Sequence, residues 1–238
     1  MTAKSPLDVA HANRTRIVIL AFPISGAVAA SAALVPGIGI NPAVDPAGFA
    51  QAANYVGLAN LVGIVSLVFL LFGFQALSAF LERNSIDKWA FSGKILSVIG
   101  LGLFLPFLGV IAFAAPVAGR LYLSGNLQAV GIISEATSTL NPAALALGGA
   151  SVLLSVLGAI LFAVGIWRSG KLPKWSAFAY AISAPLNWTP HYVPGLWLLG
   201  GILLSGAGIG IARGIWKALN EEQLAISRPS PSTRALPG

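Results

Sequence analysis

Six apolar runs divide the sequence, and each is long enough, or nearly so, to cross a membrane as a helix. They cover residues 17–36, 55–81, 95–118, 143–167, 175–192 and 195–216. A helix needs about 20 mostly apolar residues to cross the hydrocarbon layer of a bilayer. Only 9% of the residues are charged, whereas soluble domains carry about a quarter. The sequence therefore predicts an all-α, polytopic transmembrane bundle with six spans.

The basic residues predict how these spans are oriented, and they support the weakest of them. With six spans, thirteen of the 14 Lys and Arg residues fall on one side of the membrane, and only Arg120 falls on the other. Basic residues concentrate in cytoplasmic loops, so we expect both termini to be cytoplasmic. The fifth run is cleanly apolar only over "WSAFAYAISA". Omitting it would place the basic C-terminus outside, so we keep it as a span.

The spans predict a simple organisation of the chain. A cytoplasmic segment at 1–16 precedes a transmembrane domain at 17–216, and a cytoplasmic tail follows at 217–238. The tail ends in "SRPSPSTRALPG", which is rich in Pro and Ser and should be disordered in isolation. Run 17–36 has features of a signal peptide, but its length favours an uncleaved helix. The net charge of +7 follows from topology, so we expect no nucleic-acid partner.

Two predicted cytoplasmic turns share a pattern. The segments "ERNSIDKWAFSGK" at 82–94 and "RSGKLPKWSAFAY" at 168–180 both place an apolar residue two positions before a Lys-Trp pair. The pattern fits a duplicated hairpin, and it equally fits the common demands of cytoplasmic turns, which favour lysine and interfacial tryptophan. In both interpretations, Trp89 and Trp175 are predicted to lie at the membrane interface.

The second of these turns also carries a resemblance to known proteins. The stretch "LFAVGIWRSGKLPKWSAFAYAISAPL" resembles a motif of small bacterial six-helix integral membrane proteins of unknown function. In those proteins a G-x-W-R-S-G-x-L-P-x-W turn joins two late helices. The resemblance is local to residues 160–187. It implies a multi-pass protein of the bacterial plasma membrane, the inner membrane, and it assigns no catalytic residue.

Reactive groups are largely missing from the predicted spans. The chain has no cysteine, and its two histidines, His11 and His191, fall on opposite sides of the predicted bundle. A bis-histidine haem and a histidine-rich metal site are therefore excluded, while a single axial histidine at His191 stays open. No carboxylate falls deep in a span, which disfavours ion-coupled transport. We predict a protein that is not an enzyme, with no catalytic residue, no metal ligand and no cofactor.

The stretch "SAPLNWTPHYVPGLW" at 183–197 is the strongest candidate for a ligand site. Pro185 lies ten residues beyond Trp175, or about 15 Å along a helix, so the stretch falls in the outer half of the bilayer. Prolines free backbone carbonyls, which cannot face lipid. The stretch then forms either an outward-facing pocket or a kinked helix end with an interfacial Trp/Tyr belt. The candidate ligand-binding residues here are Asn187, Trp188, His191 and Tyr192.

Two neutral polar residues in the second run are further candidates for ligand binding. Asn60 and Gln75 are 15 residues apart, which places them close to one face of a helix. They either line a cavity or hydrogen-bond to a neighbouring helix.

The sixth run carries glycines at the spacing of a helix-packing motif. Gly206, Gly210 and Gly214 form two consecutive GxxxG patterns, which let another backbone approach closely. The partner is either another helix of this chain, a second membrane protein or a second copy in a homo-oligomer.

Two classes of function remain open from the sequence. The first is a non-enzymatic accessory subunit or binder of an apolar ligand, such as a lipid, a quinone or a pigment. The second is a small facilitative transporter with an outward-facing pocket at the broken fifth helix. In both classes, membrane lipids are expected partners.

Overall fold

A computed structural model describes residues 13–83, 87–138, 140–188 and 193–227. This part of the chain contains helices and no strands, so the predicted all-α class is confirmed. The helices are α1 (Asn13–Ala32), α2 (Pro46–Glu82), α3 (Asp87–Leu123), α4 (Ala129–Ala136), α5 (Pro142–Ser169), α6 (Lys174–Asn187) and α7 (Pro194–Ser227).

Five of these helices are long and apolar enough to cross a membrane, namely α1, α2, α3, α5 and α7. The protein is therefore a multi-pass membrane protein. Helix α6 has only 14 residues, or about 21 Å, and is shorter than the ~30 Å hydrocarbon layer. The predicted fifth span at 175–192 is thus helical as far as Asn187, and residues 189–192 lie outside the described residues.

Two of the helices, α2 and α5, begin before the position at which hydropathy predicts their start, and each has a capping residue there. Helix α2 begins at Pro46 rather than at 55, because the Asp45 carboxylate accepts a hydrogen bond from the Gly48 N–H at 2.8 Å. Helix α5 begins in the same way, with Asn141 as the cap and Pro142 as the first residue. A side-chain acceptor followed by proline is a strong helix start. At the other end of the chain, α7 continues past the predicted limit at 216 to Ser227.

The long helices and α6 alternate in direction and close into a ring. Helix α1 packs against α2, α2 against α3, α3 against α5, α5 against α6 and α6 against α7. Helix α7 then returns to α1. In that last pair, Gly26 lies against Ser205 and Ala30 lies against Gly201, so the two helices are antiparallel. The ring encloses an interior that six helices share.

The first and last described helices meet at one end of the ring. The Arg16 guanidinium donates to Asn220 Oδ1 at 2.6 Å and to Gln223 Oε1 at 2.9 Å. The Trp216 indole N–H donates to the Arg16 carbonyl at 2.9 Å. We call this end of the ring the inner end, and the opposite end, where Asp45 and Asn141 cap their helices, the outer end.

A cluster of four aromatic rings fills the inner half of the ring. Phe22, Phe74, Phe162 and Tyr180 come from α1, α2, α5 and α6, and all four side chains are buried. The Phe22 and Tyr180 ring centroids are 5.2 Å apart, and those of Phe74 and Phe162 are 5.3 Å apart. Such rings at edge-to-face or offset distances attract one another beyond their burial. We call these four residues the aromatic floor.

Helices α3 and α5 approach closely because each places a glycine opposite a serine of the other. The hydroxyl of Ser155 lies against Gly100, and the hydroxyl of Ser97 lies against Gly158. Ser151 Oγ also donates to the Gly100 carbonyl at 2.7 Å. Small residues at a crossing let two backbones meet, which is the main source of helix association in lipid. This contact brings both serines to the interior of the ring.

Candidate ligand site inside the helix ring

A chamber of about 80 Å³ lies inside the ring, directly outward of the aromatic floor. Phe74 and Tyr180 of the floor line its inner side, and none of the described residues around it is charged. Each of the six helices of the ring contributes to the lining, with Ala29, Leu70, Leu101, Ala159, Ser183 and Leu204 as examples in chain order. The chamber is therefore a product of the whole bundle rather than of one hairpin.

Three aromatic residues line the outer side of the chamber. Phe104 comes from α3, Trp188 follows the end of α6, and Trp197 comes from α7. The Phe104 and Trp188 ring centroids are 4.2 Å apart in an edge-to-face arrangement. Trp197 is 5% exposed and belongs to the apolar cluster of the outer half. We call these three residues the aromatic roof, and the chamber lies between the floor and the roof.

A second cavity, of about 450 Å³, opens on the outer side of the roof. We call it the vestibule. Its wall is made by the segment 38–43 before α2, by α2 and α3, and by the end of α4. Its polar lining residues are Asn41, Asn60, Ser134, Thr137 and Ser138. The vestibule and the chamber share Phe104 and Leu108 as wall residues.

Asn60 and Asn187 hold their amides in the same way. Asn60 Nδ2 donates to the Val56 carbonyl at 2.8 Å, and Asn187 Nδ2 donates to the Ser183 carbonyl at 2.9 Å. A carbonyl can only accept, so in each residue the nitrogen must take this position and the oxygen must point elsewhere. Both Oδ1 atoms are buried and have no hydrogen-bond partner among the described residues. Asn60 lines the vestibule, and Asn187 lines the chamber.

The helix registers place these two asparagines at about the same depth. Asn187 packs against α7 at the turn that contacts Ala30 of α1. The hydrogen bond between Ser25 and Ser66 fixes the register of α1 against α2. Ala30 lies five residues after Ser25 in α1. Because α2 runs antiparallel to α1, the same depth in α2 is reached five residues before Ser66, at position 61, which is next to Asn60. The two unpaired amide oxygens therefore lie at one level of the ring, on α2 and α6.

The other residues that the sequence predicts to bind a ligand lie in different parts of the molecule. Trp188 lies in the aromatic roof. His191 and Tyr192 lie outside the described residues. Gln75 is exposed on the outer surface of the bundle, whereas Asn60 is fully buried. This corrects the cavity interpretation of Gln75, because 15 residues at 100° each leave an offset of about 60°, which is enough to turn its side chain outward.

The glycines of α7 face different surroundings. A side chain at Gly210 would place its Cβ 2.6 Å from the Trp175 ring, and one at Gly214 would place it 2.8 Å from Leu172. These two glycines thus pack within the chain, against α6 and the turn before it. At Gly206 no atom of another part of the described chain lies within 4 Å of such a Cβ.

A short sequence repeat, which a hydropathy analysis does not detect, marks some residues of the site. The motif "SVIG" at 97–100 recurs as "SVLG" at 155–158, and these two segments pack against each other in α3 and α5. A repeated Ser-x-x-Gly in two long apolar runs is a packing signal of the small-residue type. Phe104 carries no such signal, since hydropathy does not tell which side of a wholly apolar helix faces inward.

Comparisons with family models, curated proteins and solved structures found no match to this chain. The geometry of the chamber and the vestibule therefore carries the functional argument.

Proposed function

We propose that the protein is a non-enzymatic membrane protein that binds a small uncharged molecule inside its helix ring. The observation that carries this proposal is the chamber between the aromatic floor and the aromatic roof, to which six helices contribute. Packing alone is the main source of stability for helices in lipid, so a void at the centre of a ring forfeits contacts. A void that also holds unpaired polar atoms is the arrangement expected of a binding site.

The chemistry of the lining defines the class of ligand. The described residues around the chamber are apolar or aromatic, with a few hydroxyls and one amide, and none of them is charged. An ion that entered the chamber would lose its hydration and meet no counter-charge there, which carries a large free-energy cost at this depth. The vestibule, at about 450 Å³, lies within the range of small-molecule sites, roughly 300–1,000 Å³. A neutral molecule with an apolar body and a polar group fits both cavities.

In this proposal the chain crosses the membrane six times, and the vestibule lies on the outer side of the chamber. At the inner end, Gly214 of α7 lies against Leu172, just before α6. From Gly214 to Pro194, α7 rises by twenty residues, or about 30 Å. Helix α6 runs beside this part of α7 as far as Asn187, which lies against Gly200. An even number of crossings also accounts for the meeting of α1 and α7 at the inner end.

The inner end is the cytoplasmic end in this proposal, because the basic residues concentrate there. A reporter that is active only in the periplasm should therefore be active when fused after position 45 or 128. It should be inactive when fused after position 171 or 225. Activity after position 171 would overturn the six-span topology. The location in a bacterial plasma membrane rests on the resemblance around residues 160–187.

Native mass spectrometry of the detergent-purified protein tests the ligand site. Ala159 lines the chamber and is 1% exposed, so Ala159→Leu should fill the space and displace a co-purified small molecule. Ala146→Leu is the matched control, because Ala146 is exposed on the surface of the same helix. Ala184→Leu makes the same test from α6. A wild-type protein without any small-molecule adduct, or an adduct that survives both chamber variants, would overturn the proposal.

Facilitative transport is a second candidate, and a specific observation favours it. The vestibule reaches from the outer end to Phe104 and Leu108, which it shares with the chamber. Only rotation of side chains would then connect the chamber with the outside. Proteoliposomes exposed to a gradient of glycerol or urea should equilibrate faster with the wild type than with Ala159→Leu. Equal rates would exclude transport of these solutes and leave the binding function standing.

A further inference from the structure

We infer that Asn60 in the vestibule and Asn187 in the chamber are hydrogen-bond acceptors that select ligands carrying an N–H or O–H group. This inference rests on the proposed function and names the chemical class of the ligand. Both side-chain oxygens are buried without a partner among the described residues. Asn60 lines the vestibule, and Asn187 lines the chamber.

The back-bonding of the amides fixes the polarity of the site. In each residue the nitrogen is occupied by the carbonyl four positions earlier in the helix. The oxygen therefore cannot exchange places with the nitrogen without breaking that bond. At each asparagine the side-chain oxygen has no partner among the described residues, whereas the nitrogen already donates one of its two N–H groups to its own helix, so the oxygen is the atom that most needs a partner.

An unpaired buried acceptor is costly, and this cost provides the selectivity. A buried polar group without a partner destabilises by about 1–3 kcal/mol, and a partner from the ligand recovers it. Ligands that can only accept hydrogen bonds leave the two oxygens unpaired and bring a third oxygen close to them. A site built to hydrogen-bond a group discriminates strongly against analogues that lack it.

The surroundings of the two asparagines complete the description of the ligand. Phe104 offers an apolar ring surface to both cavities, and Trp188 offers one to the chamber. Ser155 also lines the chamber, although its hydroxyl lies against Gly100 of α3. The ligand class is thus a neutral primary amide, urea or alcohol with a compact apolar part.

Acetamide and acetone make a matched pair of probes for this inference. They have the same number of heavy atoms and a carbonyl in common, and only acetamide has N–H groups. Saturation-transfer NMR on the detergent-purified protein gives a dissociation constant for each probe. We expect acetamide to bind about 3- to 10-fold more tightly than acetone, as one net hydrogen bond predicts. This ratio is measured on the wild type, so it tests the inference without any variant.

Variants of Asn60 and Asn187 test whether their side-chain oxygens cause the preference for acetamide over acetone. Asn187→Leu should remove most of the preference while acetone still binds, and Asn60→Leu should reduce it. Gln75→Leu is the matched control, because it removes an amide that is exposed on the outside of the bundle. It should leave the ratio unchanged.

The possible outcomes separate this inference from the proposed function. Equal binding of the two probes, with both signals lost in Ala159→Leu, would overturn the donor preference and keep the ligand site. A preference that survives both asparagine variants would also overturn it. The absence of any signal that Ala159→Leu removes would overturn the ligand site and this inference together.

Discussion

The inner and outer halves of the ring are built from the same helices and packed in opposite ways. In the inner half, the aromatic floor fills the space between four helices, and Phe22 and Phe162 are completely buried. In the outer half, the chamber and the vestibule leave space, and two amide oxygens there lack partners among the described residues. The inner half stabilises the bundle, and the outer half holds the candidate site.

Helix α6 shows this difference within a single element. Its inner part packs tightly, with Ala177 and Tyr180 buried, while Pro185 near its outer end is exposed and cannot donate a backbone hydrogen bond. The helix ends at Asn187, well before its partner α7 reaches the outer end. Trp188, directly after the helix, lines the chamber.

The largest expected effect is the loss of an aromatic ring from the floor. Phe162→Ala should destabilise the protein by about 3–5 kcal/mol, because it leaves a cavity in a region without spare volume. Phe104→Ala in the roof should cost clearly less, because Phe104 already borders two cavities. Unfolding in detergent with increasing SDS measures both values. Equal losses would contradict the assignment of stability to the inner half.

The second effect concerns how tightly α7 packs on α6 at the inner end. Gly210→Leu should destabilise by about 1–3 kcal/mol, because the new side chain would overlap the Trp175 ring. Gly206→Leu is the matched control on the same helix, since no atom of another part of the described chain lies close to its Cβ position. Thermal melting followed by size-exclusion chromatography distinguishes the two variants. A large loss at Gly206 alone would indicate that this face contacts a second molecule.

The sequence predicts the long helices, because the membrane environment requires them. Backbone groups must be paired inside the hydrocarbon layer, so long apolar runs form helices almost without regard to the rest of the chain. The same rule, applied to the prolines after Ala184, draws attention to Asn187 and Trp188, which line the chamber. It locates the long helices but not all of their ends, since α3 begins at Asp87 rather than at 95 and α7 continues to Ser227 rather than ending at 216.

The remaining features depend on which side of each helix faces inward. In a run as apolar as α3, hydropathy has no preferred face, so the role of Phe104 in the roof follows only from the packing of α3 against its neighbours. Gln75 was misplaced for the same reason, since an offset of one-sixth of a turn separates the interior from the lipid. The chamber itself is a property of six helices together, and no single run of residues encodes it.

The smallest effect lies at the boundary between the two halves, where Ser25 of α1 meets Ser66 of α2. The Ser66 hydroxyl donates to the Ser25 carbonyl at 2.9 Å, and the two hydroxyl oxygens are 3.2 Å apart. Both side chains are buried, and Ser66 also lines the chamber. Hydrogen bonds between membrane helices contribute about 0.6 kcal/mol on average, because the unfolded helices find other partners in the membrane.

A double-mutant cycle with Ser25→Ala and Ser66→Ala should therefore give a coupling free energy of about 0.6 kcal/mol. Ser31→Ala is the control, because the Ser31 hydroxyl is exposed and bonds only to the Val28 carbonyl of its own helix. It should show no coupling to Ser66. Ser25→Ala keeps the backbone carbonyl that accepts from Ser66, so the cycle measures the contact between the two hydroxyls. A coupling of zero would mean that this contact contributes nothing to the stability of the bundle. The bond from Ser66 to the Ser25 carbonyl would then be the hydrogen bond that joins the two helices at the boundary between the halves.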